Sequence, residues 1–325
     1  MKNIKVALLG LGTVGSGVKN ILEEKKVILN NRLSEKCGVE KNIEISKVLV
    51  RNINKDYGVN KALLTDNYNE ILEDESIDIV VELMGGENPA LEYMTSAMKK
   101  GKHVVSANKL AIAKSSGILE KTAKENNVAF MYEASVAGTI PVIRVMTDSL
   151  VGNSINKISG IINGTTNYIL SKMTNENQSF EQALKKAQEL GFAEADPSSD
   201  VDGDDVAYKI TILSKLAFGE WIDIESIDKQ GITKVTLEDI ENAKKQGKKI
   251  KFLAQAEKLE GKIKVSVSPQ EIDEKHPLAN VDGAMNAVYI DCDNAGEIML
   301  QGAGAGSRPT ASAVVSDIFA IAEKL

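Results

Sequence analysis

Short apolar runs alternate with amphipathic stretches through the first third of the chain. Runs at 4–9, 45–50, 79–83, 103–106 and 128–132 are apolar and rich in β-branched residues, and they predict strands. Helical spacing covers 14–29, 68–72, 89–100 and 117–126 between them. Strand–helix alternation of this kind predicts an α/β fold, a Rossmann-type doubly wound parallel sheet. From about residue 136 the pattern changes. A helix is expected over 140–150 and a strand over 155–163, followed by long helices through Leu184, Ile210 and Phe218. Strands are expected again at 250–257, 262–269 and 287–293, and a helix opened by Pro309 and Thr310 runs over 309–324. This block predicts a second, α+β domain whose strands are available for subunit pairing. The domains are expected at 1–135 and 136–307. The charge-rich stretch 234–251 reads as a solvated helix and loop.

One segment concentrates the charge. Glu194-Ala-Asp-Pro-Ser-Ser-Asp-Val-Asp-Gly-Asp-Asp-Val-Ala-Tyr-Lys209 sets six carboxylates and one lysine in sixteen residues. Its end begins a helix, because Val206, Ile210, Leu213 and Ala217 recur at helical spacing. Asp205 and Lys209 are four apart, so they share a face and can pair. That face continues through Ile212 and Leu216, which places the pair against a pocket rather than open water. The competing reading is an acidic helix start favoured by the helix dipole, with Asp204 or Asp202 as the cap. The segment by itself leaves both open.

Gly10-Leu-Gly12-Thr13-Val14-Gly15 follows the first strand and opens a helix, the context a dinucleotide fingerprint requires. Gly10 permits the tight turn, Gly12 lets backbone approach a pyrophosphate, and Gly15 permits close helix–strand packing. Thr13 and Val14 begin the helix whose N-terminus attracts the anion. An acidic residue at the end of the second strand would bind the ribose hydroxyls of NAD. Here the strand ends Val48-Leu49-Val50-Arg51-Asn52, and Arg51 is suited to a 2′-phosphate. NADPH is therefore the expected cofactor, with NADH as the alternative. The distance from Gly15 to Arg51 implies a lengthened first crossover at 23–39.

Composition narrows the classes. The 325 residues suit two domains, and 43% hydrophobic with 26% charged content is ordinary for a globular protein. The net charge of −7 argues against a nucleic-acid partner. No apolar run is long enough to span a membrane, and the start enters a strand with no secretory signal, so a cytoplasmic protein is expected. Cys37 and Cys292 lack metal-type spacing and read as reduced thiols. His103 and His276 are far apart in sequence, and His103, at a strand start, reads as packing. Asn163 suits either a helix cap or a substrate contact.

Over essentially its whole length the chain resembles homoserine dehydrogenases. The matching pieces are Gly-Leu-Gly-Thr-Val-Gly at 10–15, Val-Glu-Leu-Met-Gly-Gly at 81–86 and Gly-Lys-His-Val-Val-Ser-Ala-Asn-Lys at 101–109. They continue with Tyr-Glu-Ala-Ser-Val-Ala-Gly at 132–138, Gly-Ile-Ile-Asn-Gly-Thr-Thr-Asn-Tyr-Ile-Leu at 160–170, the 194–209 segment, and Gln-Gly-Ala-Gly-Ala-Gly at 301–306. The resemblance implies interconversion of L-aspartate 4-semialdehyde and L-homoserine with a nicotinamide cofactor, in threonine and methionine biosynthesis. It implies Lys209 as proton donor with Asp205 beside it, and Glu194 as the carboxylate for the substrate's ammonium group. Lys109 would lie in the cofactor and substrate cleft, with Gly191 and Gly302 against the cofactor. A sodium ion would sit on backbone oxygens around Glu133, Val136, Gly138 and Ile140, as a hard cation prefers. Ala137 and Thr139 stand where glycines are common in the family. The resemblance further implies a homodimer through the second domain, a C-terminal helix (308–325) that returns to the first, and a short form without the regulatory domain many members carry.

Two other classes compete. Another NADP-dependent oxidoreductase is one, but an acyl-enzyme mechanism needs a reactive thiol, and the acids flanking Cys292 disfavour its thiolate. The lysine–proline pair of sugar-type relatives is missing, because Leu110 follows Lys109. A non-catalytic NADP(H)-binding protein is the other, and it would have no use for Lys209, Asp205 and Glu194 together.

Overall fold

The computed structural model describes residues 2–115 and 117–325. It divides into two compact units, Met1–Ser135 with Gly306–Leu325, and Val136–Ala305.

The first unit opens with β1 (Lys2–Leu9), α1 (Thr13–Glu24), α2 (Lys26–Cys37) and β2 (Lys41–Leu49). The single helix expected over 14–29 is in fact two. The chain leaves helical geometry at Lys25 (φ −105°, ψ 12°), and α2 fills the long crossover until Gly38 stops it at φ 69°. There follow β3 (Leu64–Thr65), α3 (Asn69–Leu72), β4 (Ile79–Glu82), α4 (Ala90–Lys99), β5 (His103–Ser106), α5 (Lys109–Lys114), α6 (Ile118–Glu125) and β6 (Phe130–Met131). The six strands are parallel in the order β3-β2-β1-β4-β5-β6. That is the doubly wound order, with its switch point between β1 and β4, outside whose carboxyl ends such sheets bind ligands. β1 explains why its neighbours assemble around it: Val6, Ala7, Leu8 and Leu9 are all fully buried.

The second unit contains α7 (Val142–Arg144), β7 (Ile155–Ile161), α8 (Gly164–Glu176), α9 (Phe180–Glu189), α10 (Ser198–Val201), α11 (Asp204–Phe218), β8 (Asp228–Lys229), α12 (Leu237–Lys245), β9 (Lys248–Leu259), β10 (Lys262–Asp273), β11 (Met285–Cys292) and β12 (Gly296–Ala303). Its sheet runs β12-β11-β7-β9-β10-β8 and is antiparallel except for β10 with β8. Helices α8, α11 and α12 pack on β9. Two expectations change here. The helix over 140–150 becomes short α7 and a π-helical turn, Val145–Ser149, in which Leu150 N donates to the Val145 carbonyl. The stretch 234–251 is not all solvated: α12 ends at Lys245, and 248–251 is strand, with the Lys251 ammonium buried against Asp282 and the Val281 carbonyl.

The last helix, α13 (Ser307–Lys324), belongs to the first unit and packs on α1. Gly17 of α1 makes this approach possible, since a Cβ there would lie 2.7 Å from the Ser307 carbonyl oxygen and 2.9 Å from Ala311 Cβ. Buried Lys41 donates to the terminal carbonyls of α13 at Ala322 (3.1 Å) and Glu323 (3.2 Å), placing a cation at a helix C-terminus. Among the described residues no helix is long and apolar enough to cross a membrane.

Candidate active site

In the first unit, the turn from β1 into α1 forms a cradle of backbone. Gly10 has φ +101°, and a Cβ there would sit 3.0 Å from the Leu83 carbonyl oxygen. A Cβ on Gly15 would fall 2.3 Å from the Gly10 carbonyl oxygen, so only glycine fits. Gly12, by contrast, has nothing within 4 Å of its Cβ position, which leaves backbone open to a ligand. Gly12 caps α1 without a side chain, and the first turn carries no acid. The N–H groups of Thr13, Val14 and Gly15 lack intrahelical acceptors, as in any first helical turn. The cradle therefore fits a pyrophosphate. Arg51 lies just past the end of β2 with its side chain exposed. Lys109 is the first residue of α5, whose cap, Asn108, accepts from Ala111 N at 3.1 Å.

Glu82 ends β4 beside these groups and is fully buried. Burial pushes its carboxyl group up. Hydrogen bonds from Ser106, Met84, Gly85 and Asn108 oppose that.

In the second unit, the helix α11 starts at Gly203 (φ 92°), and neither Asp202 nor Asp204 caps it with a side chain. Gly203 replaces the acidic cap because the chain enters the helix in the left-handed region, which a glycine tolerates. Asp204 and Asp205 fill the first turn, where the dipole favours acids. One turn on, Lys209 Nζ donates to Asp205 Oδ2 at 2.6 Å and to the Ile162 carbonyl at 2.8 Å. The side chains are 12% and 6% exposed, so this is an enclosed ion pair rather than a solvated one. Asn163 does two things. Its Oδ1 accepts from Thr166 N at 2.9 Å and starts α8. Its Nδ2 donates to Asp205 Oδ2 (3.0 Å) and to Asp200 Oδ1 (2.7 Å). Asp200, which no spacing in the sequence singled out, thereby joins the cluster. Burial holds its carboxyl above the ordinary aspartate range, Asn163 opposes that, Asp205 reinforces it, and Lys209 opposes it.

Glu194 is exposed on the loop between α9 and α10, where its carbonyl accepts from Gln188 Nε2 at 3.1 Å. Gly191 opens the same loop at φ +75° with open space at its Cβ position. Gly302 lies in β12, where a Cβ would meet Ile140 (3.1 Å) and Thr139 (3.3 Å). Glu133 is buried in a short 3-10 turn, and its N–H donates to Asp317 Oδ2 at 2.8 Å. Val136 and Ile140 are buried, and Ala137 and Gly138 have left-handed φ of 56° and 60°. Ala137 thus holds a conformation that costs a non-glycine residue about 1–2 kcal/mol, whereas Thr139 does not. His103 Nδ1 accepts from Ala129 N at 2.8 Å, a packing role. Burial and then Asp291 and Asp293 push the Cys292 thiol up, which disfavours its thiolate.

A family model described as homoserine dehydrogenase matches residues 141–319, and one described as homoserine dehydrogenase, NAD binding domain, matches 10–133. The chain belongs to the homoserine dehydrogenase family. A homoserine dehydrogenase of Bacillus subtilis is 42% identical over 327 residues, covering all of this chain and 74% of that protein. The crystal structure of a homoserine dehydrogenase from Thiobacillus denitrificans superposes with a TM-score of 0.93 at 43% identity, over 99% of this chain and 74% of that one. A hyperthermophilic archaeal homoserine dehydrogenase in complex with NADPH gives a TM-score of 0.82 at 28% identity, over 99% and 98% of the two chains. Members of this family are oxidoreductases, and the nicotinamide cofactor of that chemistry fits the glycine cradle of the first unit.

Proposed function

We propose that this homoserine dehydrogenase interconverts L-aspartate 4-semialdehyde and L-homoserine by hydride transfer with NADP(H), using Lys209 as the proton-donating group. The observation that carries this reading is the enclosed Lys209–Asp205 pair tied through Asn163 to Asp200. The nicotinamide, when bound, supplies the hydride chemistry. The chain's own groups handle charge and protons. A carbonyl accepting hydride develops alkoxide character, and an ammonium held in an enclosed site stabilises it and delivers a proton. Asp205 fixes the direction of Nζ. Asp200 and Asp205, when both ionised, exceed Lys209 by one negative charge, which suits a substrate ammonium. Glu194 supplies a further carboxylate for that group.

On the cofactor side, Gly10, Gly12, Thr13, Val14 and Gly15 take the pyrophosphate, and Lys109, Gly191 and Gly302 contact the cofactor. Lys109 also serves the substrate. Arg51 takes the 2′-phosphate, which favours NADPH over NADH. A sodium ion on the backbone oxygens of Glu133, Val136, Gly138 and Ile140 is supported by the left-handed backbone at Ala137 and Gly138. A homodimer through the second unit is supported by the long strands β9 and β10, of twelve residues each. The substrate pair would place the enzyme in threonine and methionine biosynthesis. The deciding experiment is homoserine-dependent reduction of NADP+, followed by absorbance at the reduced-nicotinamide band. Reduction that needs homoserine supports the reading, and none with either coenzyme overturns it.

A further inference from the structure

Glu82 is a buried carboxylate that the proposed chemistry does not use. It is 0% exposed and ends β4, the strand next to β1 at the switch point of the parallel sheet. Its Oε1 accepts from the backbone N–H groups of Met84 (2.8 Å) and Gly85 (3.3 Å). Its Oε2 accepts from the Ser106 hydroxyl at 2.8 Å. Ser106 is the residue that pairs with Glu82 across β4 and β5, and its oxygen in turn accepts from Asn108 N at 3.0 Å. The Asn108 amide donates to the Gly86 carbonyl (2.6 Å) while its oxygen caps α5 at Ala111 N. One carboxylate thus joins two turns. The turn at 83–86 passes directly over Gly10, whose Cβ position lies 3.0 Å from the Leu83 carbonyl oxygen and 3.4 Å from Met84 Cα. The other turn presents Lys109 as the first residue of α5.

These partners point donors at Glu82, so an acceptor-only group is what the geometry is built for. A buried carboxylate ringed by neutral donors is costly to keep unless the turns it ties must hold one shape. Leu83 packs against the core at the start of the first turn, but 85 and 86 are glycines with φ of 73° and 76° and bring no side chain to fix its far end.

We infer that Glu82 is a positioning residue for the cofactor crevice, holding the 83–86 turn against the Gly10 fingerprint and setting the start of α5 that carries Lys109. This rests on the proposed role of Lys109 in the crevice. Glu82→Gln preserves size but turns a donor toward Ser106 and Asn108. NADPH binding to the purified protein, read by nucleotide fluorescence, should weaken by about tenfold, the scale of one lost buried hydrogen bond. The homoserine-dependent kcat should fall by a similar factor, with KM for homoserine little changed. The separating measurement is a cycle with Lys109→Ala: a positioning role acting through Lys109 predicts that Glu82→Gln lowers kcat far less in the Lys109→Ala background. Ser106→Ala removes one donor only and should give a smaller loss of the same pattern, which keeps the test open if Glu82→Gln does not fold. Equal kcat losses in both backgrounds, or unchanged NADPH affinity in folded Glu82→Gln and Ser106→Ala, overturn the inference. Failure of the wild-type protein to oxidise homoserine while it still binds NADPH would instead overturn the proposed function.

Discussion

Replacing Lys209 with alanine removes both the proposed proton donor and one half of an enclosed ion pair, and the two consequences can be separated. The catalytic loss is that of one positioned acid–base group, about 10²–10⁴-fold, or about 3–5 kcal/mol of barrier at roughly 1.4 kcal/mol per decade. The structural loss follows from the geometry. At the observed 2.6 Å, the pair's gross attraction is about 6 kcal/mol at an effective dielectric near 20. Desolvation offsets most of that, and breaking such a pair on one side costs about 3–5 kcal/mol because the other charge stays buried. Lys209→Ala should therefore lose stability as well as rate. Adding Asp205→Asn keeps an acceptor for Asn163 Nδ2 while removing the stranded charge, so stability should recover and the rate should not. The assays are thermal unfolding, NADPH binding by fluorescence, and initial rates in both directions. NADPH binding should be nearly unaffected, because the glycine cradle lies in the other unit. A Lys209→Ala enzyme that retains more than about half of the wild-type rate is incompatible with an acid–base role of ordinary size. A rate that recovers together with stability in the double variant would show the lysine to be structural.

Four further outcomes are expected. Arg51→Ala should weaken NADPH binding about tenfold or more, the worth of one charge-assisted contact, with little effect on NADH; equal losses would remove the basis for coenzyme preference. Gly17→Ala gains about 1 kcal/mol of helix propensity but forces α13 away from Ser307 and Ala311, so Tm should fall by the equivalent of about 1–3 kcal/mol net, and an unchanged or higher Tm would contradict the close packing. Asp200 has a raised folded-state carboxyl, so its contribution to stability is complete in acid and lost as pH rises from the ordinary aspartate range through the raised value. Asp200→Asn should therefore gain stability over wild type above that window and not below it, and a uniform loss at all pH values would refute the assignment. Light scattering at micromolar concentration should give a dimer mass, and a monomer there would exclude pairing through the second unit.

The elements that were legible in the sequence are those whose cause is local. β1 and the fingerprint announce themselves because an apolar run and three glycines at fixed spacing suffice. The pairing of Asp205 with Lys209 is readable for the same reason, as four residues is one helical turn. What stayed hidden depends on partners distant in sequence. The strand at 248–251 looks like a solvated loop because its lysines are charged, yet Lys251 is buried against Asp282, thirty-one residues on. β12 carries Gly296, Gly302 and no continuous apolar face, and it is a strand because β11 supplies its ladder. The restart at Lys25 has no proline or glycine to mark it. Asp200 sits among other acids with nothing local to distinguish it, and only the second hydrogen bond of Asn163 selects it.

Each unit solves the problem of a buried carboxylate differently, and the difference bears on how the chemistry divides. In the first unit, Glu82 is held by backbone N–H groups, a hydroxyl and an amide, all fixed dipoles that cannot give up a proton easily. Such a cluster organises backbone. In the second unit, Asp205 is held by an ammonium and an amide, and its neighbour Asp200 is already pushed toward the neutral form. Here one member can release a proton while the remaining charges readjust, which is what an acid–base site requires. The partners of Lys209 (Ile162 and Asp205), and Asn163, which holds Asp205, all lie within Val136–Ala305. The groups that shape the glycine cradle (Leu83, Met84 and Gly10 itself) all lie within Met1–Ser135. Substitutions in the two clusters should therefore be additive in binding and rate unless they act through a shared group. For that reason the Lys109 cycle, rather than any single variant, distinguishes a residue that organises the crevice from one that merely stabilises its unit.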